Sequence, residues 1–303
     1  MAHFSTFSHR IGQASLLAVL AAALAAAQQP DPTATQTAPP PPAVFQNQIP
    51  ASELSFLAAY DGKMPGELER DKRFRQLEKM ITPPAYYFYH RDKELSEARD
   101  EVLDESPLPI SVRDNRFVMV ASSGGPDAHM SGRGFIWIDM QTGIGLGGIY
   151  FKPSNGEPTP TLAIFSRQLT DTDLGMSQLP PEFLDDLDQW ALLAKVNPTA
   201  PRYFIPANKK KYVLVHDLDF CAHAAGVPAP HAIDCQELNA EAADSDLEAA
   251  YFMKQTDHLS DATAFLLDPS FNAWIAFRER TCGNGLECRI VYTRRRTREL
   301  LAR

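Results

Sequence analysis

The sequence predicts an α+β protein, with a central antiparallel sheet and flanking helices followed by a C-terminal helical part stapled by disulfides. Three observations carry this. Short β-branched and aromatic runs separated by turn residues fill the middle of the chain. Apolar residues at helical spacing recur on either side of them. All four cysteines, Cys221, Cys235, Cys282 and Cys288, lie in the last part of the chain.

The first 27 residues read as a signal peptide: a short basic start at His9 and Arg10, an apolar run from Ala14 through Leu24, and an Ala25-Ala26-Ala27 end suited to cleavage. The run is too short to span a bilayer comfortably, and no other stretch is apolar enough, so no membrane span is expected after cleavage. The expected location is periplasmic or secreted. Cleavage removes one cation, Arg10, and no acid, which takes the formal net charge from -9 to -10. So acidic a chain lacks the basic surface that releases counterions from phosphates, and nucleic acid is not an expected partner. A cationic protein suits it better.

Residues 28 to 50 are rich in Pro, Thr, Gln and Ala, with Pro39 to Pro42 in succession, and read as a disordered linker. Residues 51 to 220 are expected to form an α+β domain that matches no known function. Leu54, Leu57 and Ala58 open one helical face, and Phe74, Leu77, Met80 and Ile81 make another that ends at Pro83-Pro84. The aromatic cluster Tyr86 to Tyr89 reads as half-buried strand or loop packing, and Leu95, Ala98, Val102 and Leu103 resume a helix.

The period then changes. Phe117 to Ala121, Gly134 to Met140, Ile144 to Phe151, Thr161 to Arg167 and Tyr212 to Val215 read as strands, with hairpin signals at Gln141-Thr142-Gly143 and at Asn155-Gly156. Gly145, Gly147 and Gly148 suggest a bulge or a close backbone approach. Between the last two strands, Phe183, Leu187, Trp190 and Leu193 mark an amphipathic helix over Glu182 to Leu193.

Residues 221 to 303 return to helix. Asp268-Pro269 is a start signal, with a carboxylate at the N-cap and proline at the first helical position. Gly283 and Gly285 break that helix, and a last one runs from about Leu286 to Leu301. The four cysteines allow three pairings. The favoured one is sequential, Cys221 with Cys235 and Cys282 with Cys288, because the first closes a short loop and the second fixes the angle between the last two helices. The rival is tetrahedral zinc held by Cys221, His223, His231 and Cys235. Its spacing is unusual and exported cysteines are usually oxidised, so no metal and no cofactor are expected.

The same segment carries a motif. Asp244, Leu247 and Tyr251, then Trp274, Phe277, Arg278 and Cys282, then Cys288 with Thr293, Arg296 and Leu300, resemble the lysozyme-inhibitor LprI-like (YecT-like) helical domain of bacterial exported proteins. The sequence departs from that pattern at Phe271 and Glu248, where the family has glutamine and asparagine. The resemblance implies a small, exported, disulfide-bonded domain, and lysozyme as partner. Residues 234 to 248 hold six acids and no Lys or Arg (Asp234, Glu237, Glu241, Asp244, Asp246, Glu248), which would suit a cationic protein.

The central part offers His216, Asp217 and Asp219 with Glu157 and Arg167 as a binding set or as minimal acid–base machinery. No Gly-x-Ser-x-Gly, His-Glu-x-x-His or paired catalytic cysteine accompanies them, so no catalytic residue and no reaction type is assigned. The expected function is therefore non-catalytic binding in the bacterial envelope, with lysozyme-type muramidase inhibition as its specific form. An envelope hydrolase using His216, Asp217, Asp219 and Glu157, and a structural component of an envelope assembly, are the alternatives.

Overall fold

The structure is a computed structural model and describes residues 44–89, 91–124, 132–153, 157–170, 174–223, 235–256 and 269–302. The expected signal peptide, most of the expected linker, the Asn155-Gly156 turn, His231, Asp234 and the Asp268 cap lie outside them.

Three short helices open the fold: α1 (Ala51–Leu54), α2 (Pro65–Leu68) and α3 (Lys72–Ile81). Asp71 caps α3 by accepting from the Arg73 amide, and Phe74, Leu77 and Ile81 form its buried face. The helix stops at Thr82 because the residue before a proline disfavours helical backbone. A hairpin follows, β1 (Tyr86–Tyr89) with β2 (Arg91–Glu94), and then α4 (Leu95–Asp104). The aromatic cluster of the sequence is thus a strand, with Tyr87 inside and Tyr86 outside.

The main sheet has seven strands in the order β3 (Ser111–Arg113), β4 (Phe117–Ala121), β5 (Arg133–Asp139), β6 (Ile144–Phe151), β7 (Thr161–Phe165), β8 (Arg202–Ile205) and β9 (Tyr212–Val213). Every neighbouring pair is antiparallel except β7 with β8. The central sheet is thus antiparallel, as expected, but for that one parallel step. A parallel step needs a crossover, and α5 (Pro181–Leu193) supplies it.

Both sheet faces are covered. Val118, Val120, Ile136, Ile138 and Ile149 point toward α3 and α4, while Phe135, Trp137, Leu146 and Ile164 point toward Phe183, Leu187 and Trp190 of α5. Period-2 alternation therefore sorts two cores across one sheet. The register of β6 runs without a bulge through Gly145, Gly147 and Gly148. These positions are open because side chains lie over them: an added Cβ would come within 2.2 Å of the Phe165 ring at Gly147 and 2.4 Å of the Phe135 ring at Gly148.

The expected linker is shorter than read. Phe45 and Ile49 are buried, the Gln46 amide donates to the Gln168 carbonyl at 2.8 Å, and Ile49 N–H donates to Gly143 O at 2.9 Å. Apolar side chains within the polar stretch are what draw it onto the sheet.

After β9 come α6 (Phe220–His223), α7 (Cys235–Thr256), α8 (Pro269–Cys282) and α9 (Leu286–Leu301). Leu247, Tyr251 and Phe252 of α7 share one apolar cluster with Tyr203 of β8, Val213 of β9 and Leu300 of α9. The last helices thus cover the β9 end of the sheet.

Candidate functional site

The cysteines pair sequentially, Cys221 with Cys235 and Cys282 with Cys288. Sulfurs bonded to each other are not available to zinc as thiolates. Among the described residues no cluster of His, Cys, Asp and Glu is arranged to hold a metal ion.

The motif residues converge inside the helical part. Arg278 is buried, donates to Asp244 and, at 2.9 Å, to the Thr293 hydroxyl, and lies 5.5 Å over the Trp274 ring. Arg289 is a second donor to Asp244. Two turns further along α9, Arg296 donates from Nε and Nη2 to the Tyr251 hydroxyl at 3.1 and 3.0 Å. Leu247 and Leu300 are buried beside them. This is a polar interior joining α7, α8 and α9, in which each charge finds a partner. Among the nine motif positions only Phe277 is exposed, 6.2 Å from the Tyr292 ring.

The residues read as a binding or hydrolytic set do not converge. His216 turns inward, where its Nδ1 lies 2.6 Å from Asp246 Oδ1 and its amide donates to Asp246 Oδ2 at 2.8 Å. Asp217 is exposed and accepts from the Ser177 amide and hydroxyl. Asp219 accepts from the Cys221 amide at 2.9 Å and from Asn239 at 2.7 Å, which caps α6. Glu157 is buried against Lys211. Arg167 is exposed beside α3.

A carboxylate can only accept, so Nδ1 of His216 carries the proton in this pair. Burial holds the imidazole below its ordinary pKa, against the pull of the Asp246 carboxylate. His216 borders a cavity of about 60 Å³ with Met176, Leu184, Asp188, Arg202, Leu218 and Phe220. Among the described residues that line it there is no hydroxyl or thiol. His216 and Asp246 form a buried link between the end of the sheet and α7.

A second link was invisible in the sequence. The Lys211 ammonium pairs with Glu157 and lies over the rings of Tyr203 at 4.7 Å, Tyr87 at 5.2 Å and Phe252 at 5.2 Å. Three elements distant in sequence build this cage, so local composition carried no signal for it. Burial lowers the Lys211 pKa while Glu157 opposes that shift.

The acidic stretch is largely consumed by these contacts. Asp244 holds two arginines, Asp246 holds His216, and Glu241 Oε2 accepts from Thr199 at 3.4 Å. What stays open is a groove of about 560 Å³ between the starts of α7 and α9, lined by Asp219, Gln236, Asn239, Glu287, Arg294 and an apolar floor that includes Ile290. Glu237 stands exposed on the first turn of α7. Asn239 and the Cys221 amide hold the Asp219 carboxyl below its ordinary pKa, so it is charged at neutral pH.

No curated protein and no solved structure matches the chain. Residues 221–300 match the family model described as lysozyme inhibitor LprI. The helices from Cys221 to Leu300 are thus similar to that family of lysozyme inhibitors, and the sheet that precedes them stands outside the match.

Proposed function

We propose that this is an exported, non-catalytic binding protein of the bacterial envelope that inhibits a lysozyme-type muramidase through its C-terminal helices. The observation that carries this is the match of residues 221–300 to the LprI family. Two disulfides support an oxidising compartment, and the first 27 residues read as an export signal. Among the described residues no helix is long and apolar enough to cross a membrane.

In this reading residues 51–220 and 221–303 are two domains joined along the seam of His216 with Asp246 and Lys211 with the Phe252 ring. The inhibitory face is the groove at the starts of α7 and α9. Asp219 and Glu287, with Arg294 beside them, give it a rim whose two carboxylates can engage a cationic protein, and Leu286, Ile290 and Val291 give it an apolar floor. The motif residues themselves hold the helices together.

A turbidity assay of cell-wall lysis by lysozyme, run at several salt concentrations, tests the reading. Inhibition is expected at low salt and should weaken as salt screens the two carboxylates of the rim. Full lysozyme activity at low salt with excess purified protein rules the reading out.

A further inference from the structure

We propose that the groove between α3 and Arg167 binds a linear phosphate-bearing chain, recognised through its phosphates alone. The groove encloses about 510 Å³ and is lined by Lys72, Arg75, Gln76, Lys79, Met80 and Arg167. Four of these are cations and none is an acid, in a protein whose net charge is -9. It lies on α3 in the N-terminal part of the chain, outside the segment that matches the inhibitor family.

The arrangement follows from the helix period. Phe74, Leu77 and Ile81 take the buried face of α3, which leaves Lys72, Arg75, Gln76 and Lys79 together on the exposed one. A merely solvated helix face ordinarily mixes both signs of charge. Here the neighbouring acids are turned elsewhere. Asp71 is held by Arg73 and by the Tyr60 hydroxyl, and Glu78 is buried, 3.4 Å from Arg99. Among the described residues none of the four groove cations has a salt bridge.

Arg167 shows that the groove is preorganised. Its amide donates to the Ile81 carbonyl and its Nη1 to the Lys79 carbonyl, each at 2.8 Å. The guanidinium is therefore held at the end of α3, with its remaining donors available to a ligand. Capping a helix terminus accounts for Arg167 but not for the row of cations upstream of it. Lys72 to Lys79 spans about 10 Å at the helical rise, which suits several charges in a row better than one. Lysine and arginine together suit phosphate oxygens, as point charge and as planar fork. No aromatic side chain lines the groove, so it offers nucleic-acid bases no stacking platform.

Titration calorimetry of the full chain with linear polyphosphate tests the proposal. Saturable binding is expected, with an affinity that falls steeply with salt. A Lys72→Ala, Arg75→Ala, Lys79→Ala variant should lose at least about tenfold and show a flatter salt dependence, as expected when several phosphate contacts are removed. Arg167→Gln, one exposed substitution, keeps the test open should the triple variant fail to fold. No binding at low salt, or unchanged affinity in the variants, overturns the proposal. Equal binding of polyglutamate, tighter binding of oligothymidylate, or binding only to phosphatidylglycerol vesicles overturns the assigned ligand class. Lysozyme inhibition should be unchanged in these variants, which separates this groove from the inhibitory face.

Discussion

The sheet and the C-terminal helices solve the same problem by different means. The sheet has enough chain to bury apolar side chains on both faces: Trp137, Phe135, Phe165 and Phe204 are fully enclosed. The helices have less to bury, and they are held by two disulfides and a charged interior centred on Arg278 and Asp244. Small domains that cannot rely on a large core are commonly stapled in this way. The difference explains why the recognisable motif lies in the helices. Polar and covalent interior contacts demand particular residues at particular places, whereas an apolar core accepts many combinations.

The largest effect that would sharpen the comparison is expected from Trp137→Ala. Emptying that site between β5 and α5 should cost about 4 kcal/mol in denaturant unfolding. A loss under about 1 kcal/mol would show that the apolar core does not dominate the sheet. Arg278→Leu should cost about 3 kcal/mol by leaving Asp244 and Thr293 short of a donor. Amide exchange should localise that loss to α7, α8 and α9, and equal deprotection of β5 would break the distinction between the regions.

Reduction should act on the helices alone. Cys221 and Cys235 are 14 residues apart, and in the chain-entropy model a loop of that size is worth about 3 kcal/mol. This sets an upper range for the effect, because strain in the folded state reduces it. Reductant should therefore raise exchange in α6 and α7 while protection of β5 and β6 holds.

Smaller effects come from pH, with opposite signs at Glu78 under the sheet and at His216 on its seam with α7. Burial raises the Glu78 pKa to about 7, so its stabilising contribution is present at acidic pH and is lost as pH rises through about 7. Burial lowers the His216 pKa, so its contribution is present above the unfolded value of about 6.5 and is lost as pH falls below it. Glu78→Gln should remove the fall in stability between about pH 4.5 and 7, and His216→Gln the fall below about pH 6.5. Profiles that coincide with that of the parent protein would contradict both assignments.

Much of this architecture was legible in the sequence where contacts are local. The bounds of β4, β6 and α9 agree with the expected ones, and α5 begins one residue early, at Pro181. What the sequence hid is non-local. β8 is short, follows Pro201, and pairs in parallel with β7 across a whole helix. The glycines of β6 read as a bulge or a close backbone approach, and nothing local shows that it is the Phe135 and Phe165 rings that lie over them. Charge was hardest to place. The stretch from Asp234 to Glu248 reads as one acidic surface, yet helical rotation sends Asp244 toward Arg278 and Asp246 toward His216. His216 likewise finds its carboxylate 30 residues away, not in the adjacent Asp217. Arg167 reads as a binding residue from the sequence, but its company on α3 appears only once the chain folds.

Under the proposed function the motif residues hold the helical part together and the groove at the starts of α7 and α9 does the inhibiting. That reading is tested most directly by the inhibition constant against lysozyme at low salt for the parent chain and for an Asp219→Lys, Glu287→Lys variant whose circular dichroism is unchanged. A rise of at least about tenfold in that constant, equivalent to about 1.4 kcal/mol, is predicted. An unchanged constant would place inhibition elsewhere on the molecule and contradict the account.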